Sequence, residues 1–383
     1  ISLAVVLLIA AGLVGRSFMS LQNLDLGFTP ANVLTMNVSP NTPTQSASEW
    51  MSRLVDRVSV LPGVEAAGAV YLRPLALGAV GEDTRVVLEG QPNTPEAARQ
   101  NPTLNYQIAT PGYFRAMRIT LRKGRLFDAN DDARSVRVAL VSESTARRLW
   151  PGQNPIGKRM LMATESPDGP RSAWRTVAGV VSDVSYRGLD DLRLDVYDAA
   201  SQSAAGARDL VVRTASDPLR IVAAVQAAAR AMDPRVVIDS VTTMDAIVAR
   251  ELAPWRFSAW MFGVFATLAF FLASGGLFTL VALEVANRRR EFAVRMALGA
   301  DPSALVRLAM VLAGRWAFIG IMCGLAVALP AVRGIRSILF KVSPLDAATY
   351  AGVIALVAIV VAVASYLPAR RASRVDPLEL WRH

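Results

Sequence analysis

The sequence has almost no cysteine and almost no histidine. Of its 383 residues one is a cysteine, Cys323, which lies in an apolar run, and one is a histidine, His383, which is the last residue. No disulfide can therefore form within this chain, and its polar part cannot build a histidine-based catalytic triad or a zinc site. Cysteine usage alone does not fix the compartment.

Acidic charge is scarce outside one polar segment, residues 17–255. That segment carries 26 Lys and Arg against 25 Asp and Glu, whereas the whole chain carries 41 against 31. The basic excess therefore lies within or beside the apolar runs. A nucleic-acid-binding protein would concentrate its excess on the soluble domain, so no nucleic-acid partner is expected. An excess beside membrane spans is typical of positive-inside topology.

Four apolar runs are candidates for membrane helices, and a bilayer core of about 30 Å needs about 20 apolar residues. They are residues 1–15, 257–283, 308–332 and 347–367. The last three are long enough. We interpret the first as a truncated transmembrane helix, because neither the charged start nor the A-x-A cleavage site of a signal peptide flanks it.

Loop charges set the predicted orientation. The loop after the second span and the tail after the fourth span are both rich in arginine, and both are expected in the cytoplasm, with the lipid bilayer between them and the outer domain. The predicted bounds are helix 1, 1–16; outer domain, 17–255; helix 2, 256–285; cytoplasmic loop, 286–307; helix 3, 308–332; outer loop, 333–346; helix 4, 347–367; cytoplasmic tail, 368–383.

The outer domain is predicted to be α+β. Two strand–helix–strand patterns lie at its opposite ends, which is typical of a split βαβ fold. The predicted strands are 33–38, 64–72, 210–213 and 236–241, and the predicted helices are 47–60 and 218–232. Between them, roughly 80 to 205, we expect an inserted β-rich subdomain with strands 136–141 and 175–181. The segment 201–207 is predicted to be a loop.

One stretch imitates a phosphate-binding loop. GQNPIGKR, residues 152–159, matches G-x-x-x-x-G-K, but Arg159 stands where the motif needs Ser or Thr, and Pro155 lacks a backbone N–H. A turn between a helix and the next strand is therefore predicted. The acidic pairs Asp131–Asp132 and Asp190–Asp191 are interpreted as solvated loop charges rather than paired catalytic carboxylates.

The charged stretch RRREFAVRMALGA, residues 288–300, separates the second and third spans. As a helix it would place Phe292 and Met296 on one side and end at Gly299, and Pro302 would begin the next helix. The arginines alone would serve as a positive-inside anchor. The apolar side chains, however, need a surface to pack on, so a docking element and an anchor both stay open at this point.

This stretch resembles the R-x-x-E-(I/F)-(G/A)-(I/V)-R-x-A-L-G-A signature of FtsX-like permeases in the MacB group of ABC transporters. The tail PARRASRVDPLELWR, 368–382, is similar to the ending of that group, although Leu380 and Trp381 depart from it. Further segments resemble the outer domain of the group: 21–38, 61–68, 111–127, 141–160 and 177–189. The chain looks like one four-span half of a duplicated eight-span permease.

The resemblance implies a multi-pass protein of the inner (plasma) membrane, with its large domain in the periplasm and no enzyme activity or cofactor of its own. ATP would be hydrolysed by a separate ABC-type ATPase subunit, and a second permease half or a second copy would complete the transporter. The residues implied in ATPase coupling are Arg288, Glu291, Phe292, Arg295, Ala297, Leu298, Gly299 and Ala300. The implied role is mechanical transmission in efflux or envelope-substrate handling.

Two other functional classes compete with the permease. A membrane-anchored extracytoplasmic sensor or receptor would normally carry a cytoplasmic output domain, whereas this chain has a short loop and a short tail. An ectoenzyme on a membrane anchor would need a catalytic set, and none is recognisable in the sequence.

Overall fold

The computed structural model describes residues 1–41, 44–76, 82–163, 173–189, 193–203, 206–287, 302–334, 339–340 and 342–372. The chain divides into two compact units. One, the membrane unit, comprises Ile1–Asn23 with Ala253–His383, and the other, the outer unit, comprises Leu24–Leu252.

Four helices of the described residues are long and apolar enough to cross a membrane. They are α1 (Ser2–Gln22), α7 (Met244–Asn287), α8 (Pro302–Gly334) and α9 (Ala347–Ala372). The first helix continues beyond its predicted end at residue 16. The second begins twelve residues before its predicted start at 256, because the polar residues 244–255 are helical although they are too polar to be found by hydropathy.

Close contact between α1 and α8 depends on two glycines. A Cβ atom on Gly320 would lie 2.6 Å from the side chain of Ile1, and one on Gly324 would lie 2.8 Å from that of Val5. Glycines four residues apart let two membrane helices approach closely. Gly12 plays the same part between α1 and α9, where a Cβ would lie 2.7 Å from Thr349. The packing between these helices is apolar.

The outer unit contains eleven strands and five α-helices among its described residues, in addition to the first turns of α7. The strands are β1 (Val33–Ser39), β2 (Val64–Val70), β3 (Glu82–Leu88), β4 (Leu104–Ala109), β5 (Leu121–Gly124), β6 (Val138–Ser142), β7 (Arg159–Ala163), β8 (Trp174–Val181), β9 (Asp195–Ala199), β10 (Asp209–Thr214) and β11 (Val237–Thr243). The helices are α2 (Thr44–Ser59), α3 (Pro95–Gln100), α4 (Pro111–Met117), α5 (Glu143–Leu149) and α6 (Val222–Met232), and short 3₁₀ turns occupy Ala200–Gln202 and Pro218–Ile221.

The predicted split βαβ arrangement is confirmed. The strand order is β11-β1-β10-β2, with antiparallel pairing throughout, so β10 lies between the two strands of the β1-α2-β2 unit. Helices α2 and α6 cover one face of this sheet, and the core between them and the sheet is apolar, with Trp50, Leu54 and Val225 among its buried members. We call this part the split-βαβ half.

The predicted β-rich insertion is also confirmed, and its strands close on themselves. The order runs β4-β3-β7-β8-β6-β9, and β9 pairs with β4 in parallel, so each of the six strands has two neighbours. Closure removes exposed strand edges. The interior is packed by apolar side chains such as Ile108, Val141 and Val196. We call this part the barrel half.

Candidate functional site

The predicted ATPase-coupling residues, from Arg288 to Ala300, lie outside the described residues. Their roles therefore stay predictions. The structure does give their boundaries, because α7 ends at Asn287 and α8 begins at Pro302. A proline at the first helical position loses no hydrogen bond, since that N–H would have no partner within the helix. The segment thus directly joins two membrane helices.

The stretch that imitates a phosphate-binding loop is a turn, as predicted. It follows α5 and precedes β7, and three of its backbone N–H groups are already used within the protein. Gln153 N donates to Trp150 O at 3.1 Å, Gly157 N to Val177 O at 2.9 Å, and Lys158 N to Pro155 O at 3.1 Å. A phosphate cradle needs such N–H groups free to face the ligand. The loop is therefore closed by its own hydrogen bonds.

The interpretation of Asp131 as a solvated charge is wrong. Its side chain is buried, and both carboxylate oxygens accept from the Arg125 guanidinium at 2.7 Å. The hydrogen bond from Arg125, helped by a backbone N–H of Asp128, holds the pKa of Asp131 below its usual value. The ion pair between Arg125 and Asp131 fixes a surface loop, and Asp131 is not one of two paired catalytic carboxylates. The other acidic pair, Asp190–Asp191, lies outside the described residues.

No group of three or more His, Cys, Asp or Glu side chains that could hold a metal ion occurs among the residues that the structure describes. Several polar groups among the described residues fasten one element to another. Three such places stand out: the end of α1, the contact between the two halves of the outer unit, and the buried charges of the barrel half.

The end of α1 is fastened to the loop that precedes α9. Arg16 Nη1 lies 2.6 Å from Asp346 Oδ2, and the buried Ser17 Oγ accepts from Phe340 N at 2.7 Å. Asp346 also accepts from Thr349 Oγ1 and N, at 2.6 and 2.9 Å, and these bonds lower its pKa. The end of α1 and the start of α9 are thereby held at the same end of the helix bundle.

The two halves of the outer unit meet where β2 approaches β4 and α4. A Cβ atom on Gly68 would lie 2.1 Å from Tyr113 N, and one on Gly112 would lie 2.0 Å from Ala67 O. Thr110 adds two bonds to Ala69, because its N donates to Ala69 O at 2.9 Å and its Oγ1 accepts from Ala69 N at 2.8 Å. Backbone packs on backbone here, so only glycine fits.

A polar cluster lies between the barrel half and α4. The Asp195 carboxylate is fully buried and accepts from Asn105 Nδ2 at 2.7 Å, and the hydroxyls of Tyr113 and Tyr186 are 2.7 Å apart. Burial raises the pKa of Asp195 well above its usual value. Tyr197 lies on the same side of β9 as Asp195, two residues along, and its ring contacts Phe114 of α4 edge-on.

A second charged cluster lies on the other side of β9, in the barrel interior. Asp198 and Arg175 are both about 5% exposed, and Arg175 Nε and Nη2 approach the Asp198 carboxylate at 2.7 Å. Tyr106 Oη donates to Asp198 Oδ2 at 2.9 Å. Such a pair is stabilised by its bidentate geometry and by the extra donor.

Comparison with known proteins identifies the chain. Residues 1–235 match the model of the MacB-like periplasmic core domain, and residues 263–377 match that of the FtsX-like permease C-terminal domain. The chain belongs to this family of permeases. It is a membrane protein with a MacB-like periplasmic domain.

The curated relatives of this FtsX-like permease are longer than it is. It is 26% identical over 360 residues to the macrolide export ATP-binding/permease protein MacB of Azoarcus sp. (strain BH72), covering 91% of this chain and 50% of that protein. It is 25% identical over 272 residues to the pyoverdine export ATP-binding/permease protein PvdT of Pseudomonas putida, covering 67% and 39%. The chain thus spans about half the length of these relatives, or less.

Among solved structures, the periplasmic region of MacB from Actinobacillus actinomycetemcomitans is similar to this permease. The sequences are 17% identical, the match covers 58% of this chain and 92% of that structure, and the TM-score is 0.38.

Sequence reasoning missed the buried charges of this permease. Arg175, Asp195, Asp198 and Arg213 are all buried within strands. A signal was present, because each is a charged residue inside a run of β-branched or aromatic residues, as in DLVVRT and DVYDA. A charge in such a run indicates a buried partner, but the sequence does not say which one.

Proposed function

We propose that this chain is a non-catalytic permease subunit of an ABC transporter, and that it passes motion from a separate ATPase to its outer domain. Its 288–300 segment docks on the ATPase, with Glu291 and Arg295 in the contact. The chain works in the inner membrane, paired with a second permease half or a second copy. Its substrate class is that of efflux or envelope-substrate handling, in line with the exporters that it resembles.

One observation carries this proposal. Helix α7 is continuous over 44 residues, from Met244 directly after β11 to Asn287 directly before the proposed dock. At 1.5 Å per residue it is about 66 Å long, roughly twice the thickness of a bilayer core. Pro254 removes one backbone hydrogen bond near the outer end of this helix, and from Trp255 to Asn287 the helix contains no further proline and is stiff along its axis. A push at the docking segment would therefore reach the strand β11 without an intervening loop.

The packing of the other spans favours mechanical movement of the helices rather than a solute pathway between them. Between α1, α8 and α9 the described buried residues are apolar, including Val5, Ile9 and Val357. Packing through glycines and apolar side chains is van der Waals contact without hydrogen bonds between the helices, which is compatible with rigid-body movement of one helix against another. A polar solute would need hydrogen-bonding groups along its route, and this apolar packing offers it few.

The proposed docking of residues 288–300 can be tested by asking whether an ATPase co-purifies with the chain. The chain is purified gently in detergent from native membranes, with a non-hydrolysable ATP analogue present, and co-purifying proteins are identified by mass spectrometry. The natural chain is compared with the double variant Glu291→Arg/Arg295→Glu, which keeps the net charge. A matched control swaps two charges in the predicted cytoplasmic tail, Arg374→Asp/Asp376→Arg.

We expect an ABC-type ATPase with the natural chain and with the tail control, and a loss of at least tenfold with the double variant. An ATPase absent from all three preparations of folded protein would contradict the permease function and favour the receptor. An ATPase retained by the double variant would contradict the assignment of the dock alone.

A further inference from the structure

The connector between α1 and β1, residues 24–32, is held by one arginine of the opposite strand. Arg213 lies on β10, paired with Val33, and its guanidinium donates three hydrogen bonds to backbone carbonyls. Nη1 donates to Ala31 O at 2.7 Å, Nη2 to Thr29 O at 2.6 Å, and Nε to Ala116 O at 2.6 Å. Two of these acceptors belong to the connector, and the third belongs to α4.

The arrangement of Arg213 is unusual for a buried charge. The residue is 3% exposed, and no carboxylate of the described residues forms an ion pair with it within 4 Å. Burying a guanidinium is costly unless its donors are satisfied. Three short bonds from a charged donor supply that compensation, each stronger than a bond between neutral groups. The guanidinium charge thus strengthens three hydrogen bonds that hold backbone carbonyls in place.

The connector also contacts α4 and the loop that follows β8 of the barrel half. Thr29 N donates to Met117 O of α4 at 2.9 Å, and Ser185 N of the loop donates to Leu26 O at 3.1 Å. Gly27 has a φ of +77°, and a Cβ there would lie 1.7 Å from Asp183 O, so only glycine fits. On the other side, Thr214 N of the split-βαβ half donates to Asn32 O at 2.9 Å. The connector is therefore bonded to both halves.

Arginine suits this position for a geometric reason. Its planar fork directs N–H groups along several fixed directions, whereas the lysine ammonium is a point charge that cannot reach three separate carbonyls. Replacement by lysine keeps the charge and loses the fork. Replacement by methionine keeps much of the side-chain volume and loses both.

We propose that Arg213 is a positioning residue that locks the connector of the first membrane helix to both halves of the outer domain. Motion of α1 is then delivered to the split-βαβ half and the barrel half together. The proposal rests on the proposed function for its mechanical meaning. The lock itself is a property of the chain alone and can be tested without an ATPase.

The lock is tested by hydrogen exchange on the full chain in nanodiscs, with Arg213→Lys and Arg213→Met compared with the natural chain. The control is Arg73→Met, because Arg73 also binds β10, through Asp209 Oδ1 at 3.0 Å, and among the described residues it donates to no backbone atom of the connector. The amides of residues 26–29 and 31 should exchange about tenfold faster or more in both Arg213 variants, since at least one charge-assisted bond is lost. Amides of β6 and β8 should keep their rates, and the control should leave the connector unchanged.

Two results would overturn the lock. One is unchanged protection of the connector in Arg213→Met. The other is equal acceleration of all slow amides in the outer domain, which would make Arg213 an ordinary stabilising residue.

The mechanical step is tested separately, with the ATPase complex reconstituted. Spin labels at Asn23→Cys and Lys123→Cys in a Cys323→Ser background report the distance from the end of α1 to the barrel half. If Arg213 locks the connector, we expect this distance to stay fixed through the ATPase cycle in the natural chain. In Arg213→Met we expect it to vary with the bound nucleotide. A distance that varies equally in both chains contradicts the lock, whereas loss of ATPase binding itself would count against the proposed function.

Discussion

The two halves of the outer domain are built on different principles. The split-βαβ half buries an apolar core between one sheet face and two helices, and its buried charges, Asp209 and Arg213, lie on the opposite face of β10. The barrel half adds buried ionisable groups to its apolar core, with Arg175 and Asp198 inside and Asp195 outside, against α4. An apolar core tolerates rearrangement of its side chains, whereas a hydrogen-bonded charge accepts few geometries. The comparison teaches that the core of the barrel half is the more narrowly specified of the two cores.

The largest expected effect comes from breaking the contact between the halves. Gly112→Val would force a side chain into the backbone of Ala67, and we expect a loss of more than about 3 kcal/mol in stability. Thermal unfolding of the full chain in detergent should show it as a large fall in Tm. Gly276→Val is the control, because a Cβ at Gly276 meets open space and the backbone there has no positive φ. Equal Tm values for Gly112→Val and the natural chain would contradict the rigid contact.

The next effect concerns the buried ion pair of the barrel half. Asp198→Leu leaves Arg175 without its carboxylate in a buried site, and a cost of about 3–5 kcal/mol is expected. The double variant Arg175→Met/Asp198→Leu should recover most of that loss, because no uncompensated charge remains. The measurement is a double-mutant cycle of unfolding free energies. Additive losses in the double variant would show that the two side chains act independently.

At Asp195 a substitution is expected to raise the stability of the protein, by less than the losses described above. Since burial raises its pKa in the folded state, the unfolded chain releases this proton first as the pH rises, and stability falls from about pH 4 upward until the folded-state pKa is reached. Asp195→Asn removes that dependence. It should raise stability at pH 7.5 by on the order of 1 kcal/mol and change nothing at pH 3.5.

The check is the Tm of both proteins across this pH range. A variant that is less stable than the natural chain at pH 7.5 would show that the ionised carboxylate is the favoured form. The isosteric Asn105→Asp, which places a second carboxyl beside Asp195, should make the fall with pH steeper.

The smallest effect is expected in the exposed turn of the barrel half. Lys158→Ala should change stability by less than about 0.5 kcal/mol, because the turn is held by backbone bonds rather than by this side chain. It should also leave the binding of a fluorescent ATP analogue by the complex unchanged. A loss of nucleotide binding would revive the phosphate-loop interpretation of residues 152–159.

The contrast between the halves also explains what the sequence could predict. In the split-βαβ half the predicted strands at 33–38 and 236–241 lie within two residues of β1 and β11 at each end, because alternation and helix periodicity report an apolar core directly. In the barrel half two of the six strands, β6 and β8, were predicted at 136–141 and 175–181, whereas the other four and the closure were not. Closure depends on pairing β4 with β9, whose residues are some 90 positions apart, and no local pattern encodes such a pairing.

The individual contacts of the candidate site were less predictable from the sequence than the fold. Asp131 was expected in solvent, since an acidic pair in a turn is usually exposed, and its partner Arg125 is fixed only by the folded loop. The early start of α7 was missed because hydropathy marks only the part of a helix that lies in lipid. The residues that the family resemblance places at the dock, 288–300, stay predictions.

The central claim is that nucleotide capture at the ATPase moves the outer domain through the docking segment. The most direct test measures hydrogen exchange of the outer domain in the reconstituted complex, with and without a trapped ATP analogue. Altered exchange at residues 24–32 and 110–117 in the natural chain, absent in Glu291→Arg/Arg295→Glu, is the predicted result. Unaltered exchange throughout the outer domain of the natural chain, with the ATPase bound and the analogue trapped, would contradict it.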